Sequence, residues 1–234
     1  MKVLGLDTSG YYNAIGVADG NRVLADFAFE AKADSLEKIV AHIDATLQKA
    51  GVRLEDIDGF GVGVGPGSWT GIRVGVTVGK MLAFSTGKPV CGVSALEAHA
   101  YQVRNSASLI CPIIYAGTRG VVYAAFYRKK NDTVIREGDY FVGGLADLAK
   151  LIKEQVVIAG TEAEKYAGML QEMFTLLGDG IKSEITSPNG ACVALLAARR
   201  LSHGESDDVL SLAPLYLKES TARAFSNAYS GGKG

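Results

Sequence analysis

One order of segments occurs twice along this chain, and it limits the possible folds more than any single motif does. Lys2 to Asp7 alternates apolar residues and ends in the polar turn Asp7-Thr8-Ser9-Gly10. Residues 13–18 read as a second strand, Asp19-Gly20 as a hairpin turn, and 23–29 as a third strand. A helix is predicted next. Asp34 or Ser35 caps it, Leu36, Ile39, Val40, Ile43 and Leu47 form one apolar stripe, and Gly51 ends it. A strand over 59–64, a helix over about 70–85, a short strand at 89–92 and a helix over 94–101 complete the order βββαβαβα. The second pass has strands at 109–115, 121–128 and 133–138, then a helix over 144–153. A strand at 156–159, a helix over 162–174, a weak strand at 181–185 and a helix over 189–202 follow.

Residue identity between the passes is slight, so the pattern repeats and the sequence does not. A duplicated βββαβαβα unit is the layout of the actin, sugar-kinase and heat-shock-chaperone ATPases. The expected fold is therefore α/β and actin-like: two ribonuclease-H-like lobes with a cleft between them. The lobes are expected at 1–103 and 104–211. The extended apolar segment 212–218, Leu-Ala-Pro-Leu-Tyr-Leu-Lys, is expected to cross back to the first lobe. Residues 219–234 lose their apolar pattern and read as a mobile tail.

Chemistry in such a fold needs an acidic residue at the end of each lobe's first strand, because Mg²⁺ and triphosphate are gripped from two sides. Asp7 fills the first position. The second hairpin, Tyr115-Ala116-Gly117-Thr118-Arg119, carries no carboxylate. Asp7 has a structural alternative, an Asx turn onto the amides of Thr8, Ser9 and Gly10. His42, His99 and His203 are scattered, and none has a second His or Cys at zinc-ligand spacing. No metal site is expected. Gly63-Val64-Gly65-Pro66-Gly67 is not a Walker loop, since no Gly-Lys-Ser/Thr ends it.

Composition excludes further classes. A net charge of −1 gives no sign of a basic face, so composition lends direct nucleic-acid binding no support. Cys91, Cys111 and Cys192 sit far apart among apolar neighbours, as reduced cytosolic thiols do. Met1-Lys2 runs straight into a strand pattern, and no apolar run approaches the ~20 residues of a membrane span. A cytoplasmic protein with no membrane contact is expected.

The run Gly65-Pro66-Gly67-Ser68-Trp69-Thr70-Gly71-Ile72-Arg73 opens the most unusual helix. Pro66-Gly67 forces a turn, and Ser68 or Thr70 can cap the helix. Gly71, Gly75 and Gly79 then recur four apart, with Ala83 continuing the row on one helix face. Each interior Gly costs roughly 1 kcal/mol relative to Ala, so a bare backbone must serve something there. Phosphate at the helix start, packing on the chain's own sheet or first helix, and a close helix from another chain are the alternatives.

Several stretches carry a resemblance to a known family. They are Leu4-Gly5-Leu6-Asp7-Thr8-Ser9, the run from Gly65 through Arg73 to Gly75, Val93-Ser94-Ala95-Leu96-Glu97, and Arg119-Gly120-Val121-Val122-Tyr123. Together they resemble the TsaB (also called YeaZ) family, the bacterial non-catalytic partner subunit of the tRNA threonylcarbamoyladenosine machinery. Trp69 stands where Phe is usual, and the closing Pro214-Leu215-Tyr216-Leu217-Lys218 has Lys218 where Arg is usual.

The resemblance implies an actin-like fold with a degenerate nucleotide cleft marked by Asp7, Thr8, Ser9, Gly65, Pro66, Gly67, Ser68, Thr70, Arg73 and Arg119. It implies no catalytic residue, metal or cofactor of the chain's own. The catalytic subunit TsaD would bind through the first two helices, at Leu36, Ile39, Val40, Ile43, Leu47, Gly71, Ile72, Val74, Gly75, Val78, Gly79 and Leu82, giving a four-helix bundle. The same helices could join two copies of the chain. With the ATPase TsaE, the assembly uses ATP and Mg to form N6-threonylcarbamoyladenosine at position 37 of tRNAs reading ANN codons, and tRNA meets this chain only through the complex. Two departures agree with a non-catalytic role. Ala95 replaces the first His of the catalytic relative's His-x-x-x-His pair, leaving His99 alone. Ala116-Gly117-Thr118-Arg119 stands where the family usually has Asp-Ala-Arg-Arg. The competing expectation is a self-sufficient ATP-dependent phosphotransferase or ATPase of the same fold.

Overall fold

The computed structural model describes residues 1–31, 38–106, 109–173 and 180–217. Strand β1 (Lys2–Asp7) is the spine of a first sheet, antiparallel to β2 (Tyr12–Asp19) and parallel to β4 (Gly59–Gly65). With β3 (Arg22–Glu30) and β5 (Val90–Ser94) the order is β3-β2-β1-β4-β5. The second half repeats it. β6 (Leu109–Tyr115), β7 (Val121–Lys130), β8 (Thr133–Gly144), β9 (Val156–Gly160) and β10 (Ile181–Ile185) lie in the order β10-β9-β6-β7-β8. The duplicated βββαβαβα order and the mixed α/β, actin-like class are therefore both present.

Local chemistry explains the element ends. Helix α1 (Ile39–Ala50) stops at Gly51, whose positive φ of 68° suits a residue without Cβ. Asp34, Ser35 and Leu36 lie outside the described residues, so the predicted start of this helix does too. Helix α2 (Trp69–Thr86) begins where the Ser68 hydroxyl accepts the Gly71 amide at 3.3 Å, and it ends at Gly87. Strand β8 runs past Gly138, where the pattern predicts a stop, because a bulge opposite Ala124 and Phe126 lets it continue to Gly144.

α1 and α2 cover one face of the first sheet. Ile39, Ile43 and Leu47 of α1 and Ile72, Val76 and Ala83 of α2 join Leu4, Leu6, Ile15, Phe60 and Val62 in one core. α4 (Leu145–Leu151) and α5 (Ala163–Met173) cover one face of the second sheet in the same way. The remaining helices sit differently from their order in the chain. α6 (Gly190–Ser202), the last helix of the second pass, packs on the other face of the first sheet. Its backbone comes so close that a Cβ on Gly16 would lie 2.2 Å from the Ala191 nitrogen. α3 (Ala95–Gln102), from the first pass, sends Leu96 and Ala100 into the core of the second sheet, against Ile110, Tyr123 and Tyr127.

After α6 the chain runs back along the first sheet. Asp207 pairs with Val90 and accepts the Gly92 amide at 2.7 Å, and the Leu215 amide donates to the Val64 carbonyl at 2.8 Å. Lys80 of α2 donates to the carbonyls of Leu210 and Leu212, both at 2.9 Å. Lys218 and the predicted tail at 219–234 lie outside the described residues.

Candidate functional site

The strand ends carrying the two hairpins face each other across a cleft of about 990 Å³. Ser9 and Tyr11 come from the first hairpin, Tyr115 and Thr118 from the second, Trp69 from α2 and Tyr166 from α5. Asp7 does not line this space. It is buried, and its Oδ1 accepts the Ser9 amide at 2.9 Å. Burial pushes its carboxyl above the usual range, and the Ser9 hydrogen bond opposes that only in part. Among the described lining residues the one carboxylate is Glu162, which accepts Lys165 at 2.5 Å and the Tyr166 hydroxyl at 2.9 Å. Arg119 is exposed at the second hairpin. The donor set thus does not offer Mg-nucleotide two free carboxylates on opposite walls.

The glycine turn is not an open cradle. The Ser68 amide donates to the Ser9 carbonyl at 2.7 Å, and a Cβ on Gly67 would lie 2.1 Å from that oxygen. Gly65-Pro66-Gly67 therefore packs on the first hairpin where a phosphate would need room. Thr70, the other predicted cap, is exposed, and the Ser68 hydroxyl does the capping.

The glycine row faces inward. A Cβ on Gly71 would meet the Thr8 carbonyl oxygen at 2.0 Å, on Gly75 the Thr8 hydroxyl at 2.2 Å, and on Gly79 Val62 Cγ2 at 2.2 Å. The Thr8 hydroxyl donates to the Gly71 carbonyl at 2.7 Å. The expectation that Gly71, Gly75 and Gly79 form a partner's docking row is corrected: the sheet beneath them occupies that space. Ile39, Ile43, Leu47 and Ile72 are likewise buried in the first core. Of the other predicted contacts, Val74, Val78 and Leu82 are half-buried, Val40 is exposed, and Leu36 lies outside the described residues.

The outward side of α2 carries residues that the sequence reading passed over. Met81 is 67% exposed and Phe84 73%, and Val40 on α1 is 67% exposed. The available signal was a helix apolar on both sides of its glycine row, with Met81 and Phe84 three apart opposite it. Arg73 and Trp69 turn a third way. The Arg73 guanidinium lies 4.2 Å from the Trp69 ring centre, and the Trp69 and Tyr216 rings are 4.2 Å apart.

His99 is buried on α3, with Nδ1 2.7 Å from the Thr186 hydroxyl, and burial pulls its pKa down to about 4. Among the described residues no cluster of three His, Cys, Asp or Glu could hold a metal ion.

Comparison with known proteins agrees with this architecture. The family model described as TsaD, tRNA N6-adenosine threonylcarbamoyltransferase, matches residues 29–224. The tRNA threonylcarbamoyladenosine biosynthesis protein TsaB of Bacillus subtilis is 30% identical over 230 residues, covering 96% of this chain and 97% of that protein. YeaZ from Pseudomonas aeruginosa superposes with a TM-score of 0.79 at 23% identity, over 92% of this chain and 99% of that one. A ROK hexokinase from Thermus thermophilus shares the fold, with a TM-score of 0.52 at 16% identity over 87% of this chain and all of its own. The chain belongs to the TsaB (YeaZ) family of tRNA threonylcarbamoyladenosine biosynthesis proteins.

Proposed function

We propose that this chain is the non-catalytic partner subunit in formation of N6-threonylcarbamoyladenosine on tRNA, and that it binds the catalytic subunit TsaD through the outer faces of α1 and α2. The observation that carries the reading is the outward apolar set Val40, Met81 and Phe84, exposed among the described residues. A helix pair laid on that set would make a four-helix bundle. The ATP and Mg of the reaction then act in the assembled complex with TsaE, because among the described residues the cleft offers Mg no pair of free carboxylates. tRNA is met only through that complex, in the cytoplasm. Among the described residues no helix is long and apolar enough to cross a membrane.

Burial changes which variant tests the interface. A glutamate at Gly75 would collide with Thr8 and report on folding. Met81→Glu and Phe84→Glu place a charge on the outer face without touching the core. Each is expected to keep the native melting curve and to lose co-purification with TsaD. The same variants should abolish any homodimer seen by light scattering, since two copies would use the same face. Retained binding by both variants would put the interface elsewhere.

A second reading, a self-sufficient ATPase or phosphotransferase, is favoured by the likeness to the hexokinase fold. It requires Mg-dependent ATP turnover by the purified chain that Asp7→Ala removes. No turnover is expected.

A further inference from the structure

A second cleft, of about 600 Å³, shares no lining residue with the one between the hairpins. Its walls come from both halves of the fold. Arg199 and Arg200 of α6 stand on one side, and Tyr127, Lys130, Arg136 and Tyr140 of the β7–β8 pair stand on the other. Tyr127 and Arg136 are direct partners across β7 and β8, so their side chains leave the same face of the sheet.

The floor holds a hydroxyl group without a partner, and a second lies next to it. Tyr127 is 2% exposed, and its hydroxyl has no hydrogen bond. Ser94 at the end of β5 is also buried, and its hydroxyl is also unpaired. It lines an adjoining space that shares Glu97, Tyr140 and Arg200 with the first. The two hydroxyls are neighbours, yet neither makes a bond of good geometry to the other. Even a bond between them would leave one O–H proton without an acceptor. Buried hydroxyls are nearly always paired, so this floor is short of an acceptor.

The rim is short of negative charge. Arg200 is spent, donating to both Glu97 oxygens at 2.5 and 2.6 Å and to the Gly92 carbonyl at 2.8 Å. Arg136, Arg199 and Lys130 have no carboxylate partner among the described residues, and Glu205 is the one lining carboxylate besides Glu97. The Arg136 guanidinium is held in place, 4.1 Å from the Tyr140 ring centre and bonded through Nη1 to the Gly138 carbonyl at 2.6 Å. Its remaining N–H groups are free for an oxyanion.

We propose that this cleft binds a small organic or inorganic anion, phosphate or carboxylate. Its oxygens accept from the Tyr127 hydroxyl, onto which the neighbouring Ser94 can turn its own proton, and from Arg136, Arg199 and Lys130 at the rim. Bound there, it joins α6 to the β7–β8 pair, and so links the two sheets. The site is independent of the α1–α2 face, and the proposal stands or falls apart from the proposed function.

Calorimetric titration of the full chain with pyrophosphate and, separately, with citrate tests this at physiological ionic strength. Saturable one-to-one binding of at least one probe is expected, and the preferred probe tells phosphate from carboxylate. Arg136→Gln should weaken it about tenfold, the loss of one charged hydrogen bond, with Arg199→Gln as the substitute if that variant does not fold. Tyr127→Phe should weaken it too, whereas Lys153→Gln, an exposed lysine outside the cleft, should not. No saturable binding of either probe would overturn the proposal. So would unchanged binding in Tyr127→Phe, or equal weakening by Lys153→Gln, the mark of unspecific charge attraction.

Discussion

Arg73 Nε donates to the Tyr216 hydroxyl at 2.9 Å, across 143 positions of sequence. With the Trp69 ring 4.2 Å from both the Tyr216 ring and the Arg73 guanidinium, the glycine motif ends in a clamp on the returning segment. The conspicuous Trp69 and Arg73 thus fasten the chain's own final stretch. Their first service is to the fold.

The clamp gives a measurable coupling. Arg73→Ala and Tyr216→Phe should each lower stability, and a double-mutant cycle in urea should show a coupling of about 1 kcal/mol. Arg73→Lys should recover little, because an ammonium cannot both stack on Trp69 and direct a donor at the hydroxyl. Simple additivity of the two changes would mean that the pair is not energetically joined.

Gly75→Ala sets two effects of opposite sign against each other. Helix propensity favours Ala by about 1 kcal/mol. The new Cβ would sit 2.2 Å from the Thr8 hydroxyl, in a packed interface that does not yield cheaply. Overpacking of this kind costs about 1–3 kcal/mol, so net destabilisation is expected in urea or thermal unfolding. A rise in stability would show that α2 can back away from the sheet.

His99 makes stability depend on pH. Burial lowers its pKa from 6.5 to about 4 in the folded chain. The unfolded chain therefore binds the extra proton first, and stability is lost as pH falls from about 6.5 towards 4, by up to about 3 kcal/mol. Above that window His99 is neutral in both states and contributes no slope. His99→Gln should flatten this acid limb in a series of denaturation curves. An unchanged limb would assign it to other groups.

Asp7→Asn separates the structural role of the aspartate from a chemical one. The folded state raises the Asp7 pKa, so its charged form costs stability as pH rises through that value. Asn keeps an acceptor for the Ser9 amide and removes the charge. A higher melting temperature near pH 7, shrinking in acid, is expected, with tRNA modification by the assembled complex retained. Loss of modification with a native melting curve would return Asp7 to the chemistry.

Features with a local cause were legible in the residues. The Ser68 cap, the Gly51 stop and the bounds of Leu109–Tyr115 follow from capping chemistry and an apolar run. The inward aim of Gly71, Gly75 and Gly79 was not legible. Their spacing puts them on one face and is silent about what that face meets. Thr8 and Val62 are distant in sequence and close only after the sheet has formed. The same holds for Tyr127 and Ser94, whose unpaired hydroxyls become visible only once β5 and β7 lie together. The missing carboxylate of the second hairpin was legible, being a matter of residue identity alone.

The exchange of α3 and α6 between the sheets bears on how the chain is made. The first sheet is complete once Ser94 has been synthesised, yet the helix that covers its second face begins at Gly190. A nascent chain therefore carries a half-dressed sheet out of the ribosome while the whole second half is translated. Its halves repeat one pattern, but neither can finish folding alone, and the first element to emerge waits for nearly the last.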